Sequence, residues 1–238
     1  RIGPATLERL AEADAFSGLG MGRRDALWAV KAISGPKPLP LFNDPIEGEG
    51  IREPAVTLPV MHLGEEVVED YVAMRLSLKA HPMELLRPEM DGLTPHAALP
   101  DVPLGPVAGR AISVCGLVIT RQRPGTASGV VFLTLEDETG VANVVVWQAV
   151  YKKFRRAVMG GRLLRVTGVV QREGIVVHLI AQHMEDVSHR LSTLGHPMDS
   201  AIGVTEPQAD DAPRPRPQPR AMHPRDQAKQ LFPSRDFH

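Results

Sequence analysis

The sequence has few aromatic residues, a single cysteine, no long apolar run and no excess of either charge. Aromatic residues make up 4% of its 238 residues, and Cys115 is the one cysteine. A lone cysteine excludes a framework of internal disulfides and favours a reducing compartment, for which we expect the cytoplasm. No apolar stretch approaches the roughly 20 residues of a membrane-spanning helix, and no signal peptide is visible, so we expect no membrane partner. Because the chain begins with Arg1 rather than Met, we expect it to be a piece of a longer protein.

The charges nearly balance over the whole chain but are unevenly distributed along it. There are 27 basic and 28 acidic residues in total, yet ten basic and only three acidic residues lie between positions 107 and 172. A basic segment inside a neutral chain is typical of contact with a polyanion. One part of it, the run KKFRR at 152–156, is expected on a solvated helix face, where it would add long-range attraction.

The first hundred residues alternate between helical and extended patterns. Residues 1–34 contain two segments with apolar side chains at helical spacing, and residues 35–60 contain six prolines, which predicts a linker. Residues 61–100 predict a helical connector. Its apolar stripe continues up to Pro82, where the helix should end or kink, and consists of Val67, Tyr71, Met74 and Leu78.

Within 105–188 the apolar period changes from helical spacing to two, which predicts strands. The expected elements are five strands and one helix, at 110–121, 129–136, 141–147, 162–171 and 175–184 for the strands and 148–158 for the helix. Five short strands with one helix after the third are the outline of an OB-fold β-barrel. The predicted fold class is therefore mixed α and β, with N-terminal helices before the barrel. Residues 196–238, rich in proline and poor in apolar residues, predict a flexible, disordered tail.

An acidic turn, Glu136 to Glu138, joins the second and third predicted strands. Clustered carboxylates can hold the divalent metals of polymerase sites. The sequence Asp-Glu-Thr-Gly is also what a tight hairpin requires, with Asp137 capping the turn and Gly140 adopting a positive φ. No other carboxylate occurs between 107 and 172. We therefore interpret the turn as a structural corner and assign it no metal.

The predicted strands have one apolar face, which fits a barrel interior, and one face that carries polar and aromatic groups. Such groups stack bases and hold phosphates on OB-folds. The candidate binding residues on this face are Phe132, Thr134, Asn143, Arg165, Thr167 and His178. The loops at 121–129 and 171–174, which flank the ligand groove in OB-folds, add Arg121, Arg123 and Arg172. The alternative interpretation is an outer face that is merely solvated.

Other chemistries have little support in the sequence. The histidines lack metal-ligand spacing with cysteine or carboxylate support, and no glycine-rich phosphate-binding motif occurs. Cys115 lies in an apolar run without a basic neighbour on its strand, which favours a small core residue over a nucleophile. We assign no catalytic residue, no metal and no cofactor to this segment.

Five stretches of the sequence together resemble one known family. They are LERLAEADAF, RRDALWAV, LSLKAHPMELLR, RQRPGTASGVVFLTLEDETGVANVVVW and FPSRDFH. They are similar to the C-terminal part of the error-prone, translesion branch of bacterial family C DNA polymerases, relatives of the DNA polymerase III alpha subunit. The resemblance implies that Gly3 and nearby amides belong to a helix-hairpin-helix remnant that grips the duplex backbone. It also implies that the catalytic palm, with its Mg²⁺, lies upstream and is absent from this chain.

The resemblance implies a DNA-binding segment of an error-prone polymerase that acts in damage-induced translesion synthesis. Its expected partner is single-stranded or primer-template DNA. The peptides LPLF at 39–42 and QLF at 230–232 resemble partial sliding-clamp peptides, so the clamp and other mutagenesis proteins are further expected partners. Two alternatives remain open: the anticodon-binding OB-fold of an aminoacyl-tRNA synthetase, and an OB module that docks proteins.

Overall fold

The computed structural model describes residues 2–33, 57–104, 111–125, 129–195, 228, 231–232 and 234–237. They belong to two compact units, Arg1–His62 and Leu63–His238. Most of the expected linker at 35–60, including the LPLF peptide, lies outside the described residues. Within the described part of the chain, no helix has the length and apolar character needed to cross a membrane.

The first unit contains two helices, α1 (Pro4–Glu12) and α2 (Arg23–Ile33). Pro4 occupies the first position of α1, where its missing N–H removes no helical hydrogen bond. A small core consists of Ala11, Ala26 and Val30. Arg23 is buried and donates from Nη1 to the carbonyl oxygen of Glu12 at 3.0 Å, which fastens the two helices together.

The second unit begins with a helical connector that comprises α3 (Leu63–Met74), α4 (Pro82–Leu86) and 3-10 turns at Arg87–Glu89 and His96–Asp101. The prediction that the first of these helices continues to Pro82 is wrong. It ends at Met74 because Arg75 adopts a left-handed conformation, with φ of 67°. Pro82 instead begins α4, whose N-cap is His81, and the Nδ1 of His81 accepts a hydrogen bond from the Met83 amide at 3.1 Å.

The barrel follows the predicted order of elements. Its elements are β1 (Ile112–Gln122), β2 (Val131–Asp137), β3 (Gly140–Val146), α5 (Gln148–Gly160), β4 (Leu163–Glu173) and β5 (Val176–Asp186). Strand β1 pairs with β2 and β4, β2 with β3, and β4 with β5, all antiparallel, while β3 and β5 are parallel. These pairings close a five-stranded barrel, so the predicted OB-fold is confirmed.

The barrel interior is filled by side chains that alternate along the strands, as the period of two predicts. Val114, Leu133, Val144, Val166 and Leu179, one from each strand, belong to a single core cluster. The β4–β5 ladder contains an irregularity between Thr167 and Gly168. A Cβ at Gly168 would lie 2.2 Å from the carbonyl oxygen of Ile180, so the close approach of the two backbones there requires glycine.

The expected tail at 196–238 is corrected near its end. Residues 196–227 lie outside the described residues. Ala228, Leu231 and Phe232, by contrast, are buried against the connector, and β6 (Arg235–Phe237) pairs with β1 in parallel. The sequence pattern missed this because three apolar side chains and a short strand carry little signal in a proline-rich stretch. They pack because the folded barrel supplies a recess and an unpaired strand edge.

Candidate nucleic-acid interface

Residues paired across neighbouring strands form one row on the outer surface of the barrel. Thr134 of β2 pairs with Thr120 of β1 and with Asn143 of β3, Asn143 pairs with His178 of β5, and His178 pairs with Gln171 of β4. We call these five residues the polar row. The residues that flank Thr134, Asn143 and His178 along their strands belong to the core cluster or pack against it, so the row faces outward. It brings together three of the predicted binding residues, those of β2, β3 and β5.

Phe132 lies beside the polar row, two residues before Thr134 on the same side of β2. It pairs with Val145, which in turn pairs with Ile180. The Phe132 side chain is 37% exposed, whereas Val145 is 8% exposed. An accessible aromatic ring next to hydroxyl, amide and imidazole groups is the arrangement that stacks a base and holds the adjoining backbone. We call the polar row and Phe132 together the open face.

Trp147 is a second exposed aromatic residue on this face, and it is not among the binding residues predicted from the sequence. It follows β3 directly, keeps an extended conformation with ψ of 154°, and is 54% exposed. It stands two residues beyond Val145, the partner of Phe132, which makes the two aromatic residues diagonal neighbours across β2 and β3. A tryptophan immediately before a basic helix is the signal that could have identified it.

Two of the three arginines predicted in the basic loops are exposed near strand ends. Arg123 is exposed after β1, and its guanidinium carbon lies 5.0 Å from the ring centroid of Tyr151, a cation–π contact that orients it. Arg172 is also exposed, but it lies within β4, opposite Val177 of β5, and not in the loop predicted from the sequence; the β4–β5 turn follows at Gly174, which has φ of 60°. Residues 126–128 of the first loop lie outside the described residues. Four exposed cations lie on α5: Lys152, Lys153, Arg155 and Arg156.

Arg121 is not a loop residue, and the expectation that it holds phosphate is corrected. β1 extends through Gln122, which places Arg121 within the strand, and its side chain is 3% exposed. Its Nε donates to the carbonyl oxygen of Val158 at 2.7 Å, and its Nη2 donates to that of Gly161. The guanidinium thus satisfies carbonyl groups at the C-terminal end of α5. Arg121 is a structural residue.

Arg165 and Thr167 also point outward, but the structure does not place them on the open face. In the strand ladders, Arg165 lies opposite Cys115 of β1 and Glu185 of β5. Its Nη2 donates to the carbonyl oxygen of Asp91 in the connector at 3.1 Å. The hydroxyl groups of Thr167 and Ser113 are hydrogen-bonded to each other, with 2.7 Å between Oγ1 and Oγ. Arg165 lines a recess of about 330 Å³ whose other walls are Glu89, Met90, Asp91, Glu185, Val187, His189 and Arg190. The connector therefore occupies the surroundings of Arg165.

The acidic turn anchors the connector to the barrel. Asp137 accepts five hydrogen bonds: Oδ1 from the Thr139 amide, the Thr139 hydroxyl and the Gly140 amide, and Oδ2 from Arg87 and the His96 amide. Burial disfavours its ionised form, but these hydrogen bonds outweigh burial and hold the pKa of Asp137 below its usual range. Arg87 also forms an ion pair with Glu138. We call this side of the barrel, including the surroundings of Arg165, the covered face.

His96 and Cys115 lie on the covered face and have shifted pKa values. Burial lowers the pKa of His96, against the charge of Asp137, whose Oδ1 lies 3.6 Å from its Nδ1. Burial raises the pKa of Cys115 to about 12, which suits the core residue that the sequence predicts. Among the residues that the structure describes, no group of three or more histidine, cysteine, aspartate or glutamate side chains could hold a metal ion.

Gly3 belongs to the first unit, where it is the exposed N-cap residue of α1. Its carbonyl oxygen accepts hydrogen bonds from the amides of Thr6 and Leu7, at 3.0 and 3.1 Å. Pro4 has no N–H, and the Thr6 and Leu7 amides are engaged within the turn, so the contact of Gly3 with a phosphate stays a prediction.

Known proteins resemble this chain in fold and along its whole sequence. A family described as an OB-fold nucleic acid binding domain, named for the tRNA anticodon, matches residues 112–187. The chain is 75% identical over 237 residues to a protein named error-prone DNA polymerase from Ruegeria pomeroyi. The aligned residues cover 100% of this chain and 21% of that relative. The chain matches a segment of error-prone DNA polymerases. The resemblance inferred from the sequence is thereby confirmed.

Further relatives agree with this assignment. Error-prone DNA polymerase 1 of Rhizobium meliloti is 44% identical over 216 residues, which cover 87% of this chain and 19% of that relative. The chain thus spans about a fifth of the length of the error-prone DNA polymerases that it matches. Among solved structures, asparaginyl-tRNA synthetase from Pyrococcus horikoshii is 26% identical with a TM-score of 0.29, over 33% of this chain and 20% of that one.

Proposed function

We propose that the open face binds single-stranded nucleic acid, and that its ligand is the DNA handled by an error-prone DNA polymerase in damage-induced translesion synthesis. One observation carries this proposal: an exposed aromatic ring adjoins a continuous row of polar side chains on a nucleic-acid-binding fold. The similarity to error-prone DNA polymerases along the whole chain supports DNA as the ligand. The segment would hold the template strand or the primer-template duplex near the active site.

Each group on the open face has a distinct role in this proposal. Phe132 stacks on one base, and Trp147 stacks on a second one at the end of β3. Thr134, Asn143 and His178 form hydrogen bonds to the bases or to the sugar-phosphate backbone. Arg123, after β1, and Arg172, near the end of β4, pair with phosphates and give the binding its dependence on salt. In the first unit, Gly3 and the helix start meet the backbone of a duplex.

Nucleotide transfer belongs to other parts of the proposed polymerase. The acidic turn of this chain is not a site for the Mg²⁺ of such a polymerase. Asp137 is fully engaged by five hydrogen bonds, and Glu138 forms an ion pair with Arg87. We therefore assign no cofactor and no catalytic residue to this segment, and we place the polymerase in the cytoplasm. Other mutagenesis proteins remain proposed partners.

The nature of the ligand can be tested by competition. The chain is mixed with a fluorescent single-stranded DNA of about 16 nucleotides, the upper site size of an OB-fold, and titrated with unlabelled single-stranded DNA, duplex DNA or tRNA. We expect single-stranded DNA to displace the label at the lowest concentration. Preferential displacement by tRNA would support the anticodon-binding alternative, which the name of the matching family favours. Absence of any nucleic-acid binding would leave the protein-docking alternative.

A further inference from the structure

The described residues at the C-terminal end of the chain fill an apolar recess in the second unit. Leu231 is 3% exposed, and Ala228 and Phe232 are similarly buried. They share one cluster with residues of the connector and the barrel. The Phe232 ring packs on that of Tyr71 with 4.4 Å between centroids, and the Phe232 amide donates to the carbonyl oxygen of Ala228 at 2.9 Å. Ala228 and Leu231 have helical backbone, and the side chains of the three residues face inward.

Ser234 adds a polar contact next to this apolar one. Its Oγ accepts a hydrogen bond from Nη1 of Arg121 at 2.7 Å and another from Nη1 of Arg162. Arg121 is the same residue that satisfies carbonyl groups at the end of α5. The contact therefore links the end of the chain to the junction between β1, α5 and β4.

Strand β6 completes the docking through the backbone. It runs parallel to β1, with Thr120 opposite Arg235 and Gln122 opposite Phe237. Strand β1 pairs with β4 only from Ile112 to Leu117, and the Val118 amide donates to the carbonyl oxygen of Arg162 at 2.8 Å, so the part of this edge that can take another strand begins after Val118. An unpaired strand edge of this kind is a template for an added strand, and β6 occupies it.

We propose that the recess and the adjoining edge of β1 form a peptide-docking site, and that its occupant is the chain's own C-terminal segment, 228–237, which we call the terminal latch. Apolar side chains, a serine hydroxyl and strand addition act together, as in complexes formed by strand addition with side-chain pockets. The latch fastens the end of β1 from which the loop with Arg123 leaves. Docking requires no nucleic acid, so it holds or fails independently of the proposed function.

The docked latch has a consequence for the peptide QLF at 230–232. Leu231 and Phe232 are the apolar side chains that such a peptide would offer to a sliding clamp, and both are buried in the recess. A side chain cannot fill both sites at once. Docking of the latch and binding of this peptide to a clamp therefore exclude each other.

Hydrogen exchange of the full chain tests the latch. In the parent protein we expect protection of the amides of Arg235–Phe237 and of the β1 residues that face them. Leu231→Ala should accelerate exchange at these amides at least about tenfold while leaving the amides of β2 and β3 protected. The control is Leu78→Ala, which removes the same atoms from a side chain that is 91% exposed. It should leave every rate unchanged.

Unchanged exchange in a folded Leu231→Ala protein would count against the latch, and a second measurement covers the case in which this variant does not fold. A labelled peptide with the sequence of residues 226–238 is added to full-length Ser234→Ala, whose own latch is weakened. We expect saturable binding by the peptide and at least about tenfold weaker binding by the same peptide with Phe232→Ala. Unprotected amides at Arg235–Phe237 in the parent protein, or equal binding of the two peptides, would overturn the proposal.

Discussion

The two sides of the barrel differ in what covers their outward-pointing residues. On the covered face, Arg87 of the connector binds Asp137 and Glu138. The carbonyl oxygen of Asp91, also in the connector, accepts a hydrogen bond from Arg165. On the open face, Phe132 and Asn143 remain exposed. Both faces have the same alternation and both carry charged or polar groups. A polar residue on the outside of a barrel is therefore a candidate for binding only where no other element of the chain has already engaged it.

Arg121 and Arg123 show the same contrast within three residues. The first is buried by α5 and the end of the chain, and the second is exposed with its guanidinium over Tyr151. The two guanidinium groups are chemically identical, so their different surroundings should separate an effect on stability from an effect on binding.

The largest expected effect is on stability. Arg121→Ala leaves the buried carbonyl oxygens of Val158 and Gly161 without their donor, so the free energy of unfolding should fall by about 3 kcal/mol. Arg123→Ala should change it by less than about 0.5 kcal/mol, as expected for a surface substitution. Urea unfolding of the two variants checks this. Equal stabilities would show that Arg121 does not hold the end of α5.

A smaller effect on stability is expected from pH. Burial lowers the pKa of both His81 and His96, so the unfolded chain, whose histidines titrate near 6.5, takes up protons first as the pH falls. The contribution of the neutral histidines to the free energy of unfolding is complete above about pH 6.5. It is lost as the pH falls toward the pKa values that the two histidines have in the folded protein. Each group contributes at most about 1.4 kcal/mol per pH unit in that window.

Urea unfolding at about pH 7 and about pH 5 measures this loss. His96→Gln should make the difference between the two pH values smaller. The lowered pKa of Asp137 acts below about pH 4, where its unfolded form titrates, so it does not contribute in this range. An unfolding free energy that stays constant or rises toward pH 5 would contradict the prediction.

The smallest expected effect is on the salt dependence of binding. If Arg123 and Arg172 each pair with a phosphate, replacing either by Ala should flatten the log-log slope of affinity against salt by about 0.7 for a single strand. Arg165→Ala, on the covered face, is the matched control and should leave the slope unchanged. A flattened slope in Arg165→Ala would indicate diffuse attraction by all basic residues rather than two placed contacts.

The sequence predicts the barrel well because each strand alternates and each turn carries its own chemistry. The hairpin at Asp137 and Gly140 and the buried Cys115 could be assigned from local residue types alone. The open-face residues Phe132, Thr134, Asn143 and His178 could also be predicted, because their neighbours along each strand are apolar. In these cases the decisive interaction lies within a few residues along the chain or follows from the period of two.

The errors arise where a distant segment decides the outcome. Arg121 is buried by residues 37 to 113 positions away, and Arg165 is engaged by the connector 74 positions away. Alternation along one strand carries no information about such partners. The early end of α3 has another cause, since the left-handed conformation of Arg75 interrupts a stripe that its residue types would continue.

The affinity of Phe132→Ala for single-stranded DNA is the most direct test of the open face. We predict a loss of about 1 to 3 kcal/mol, the usual worth of one stacked base, with an unchanged salt slope and with affinity retained by Phe132→Tyr. Hydrogen exchange of the β2 and β3 amides verifies that the variants are folded. Equal binding of single-stranded DNA by the parent protein and a folded Phe132→Ala variant would contradict the account.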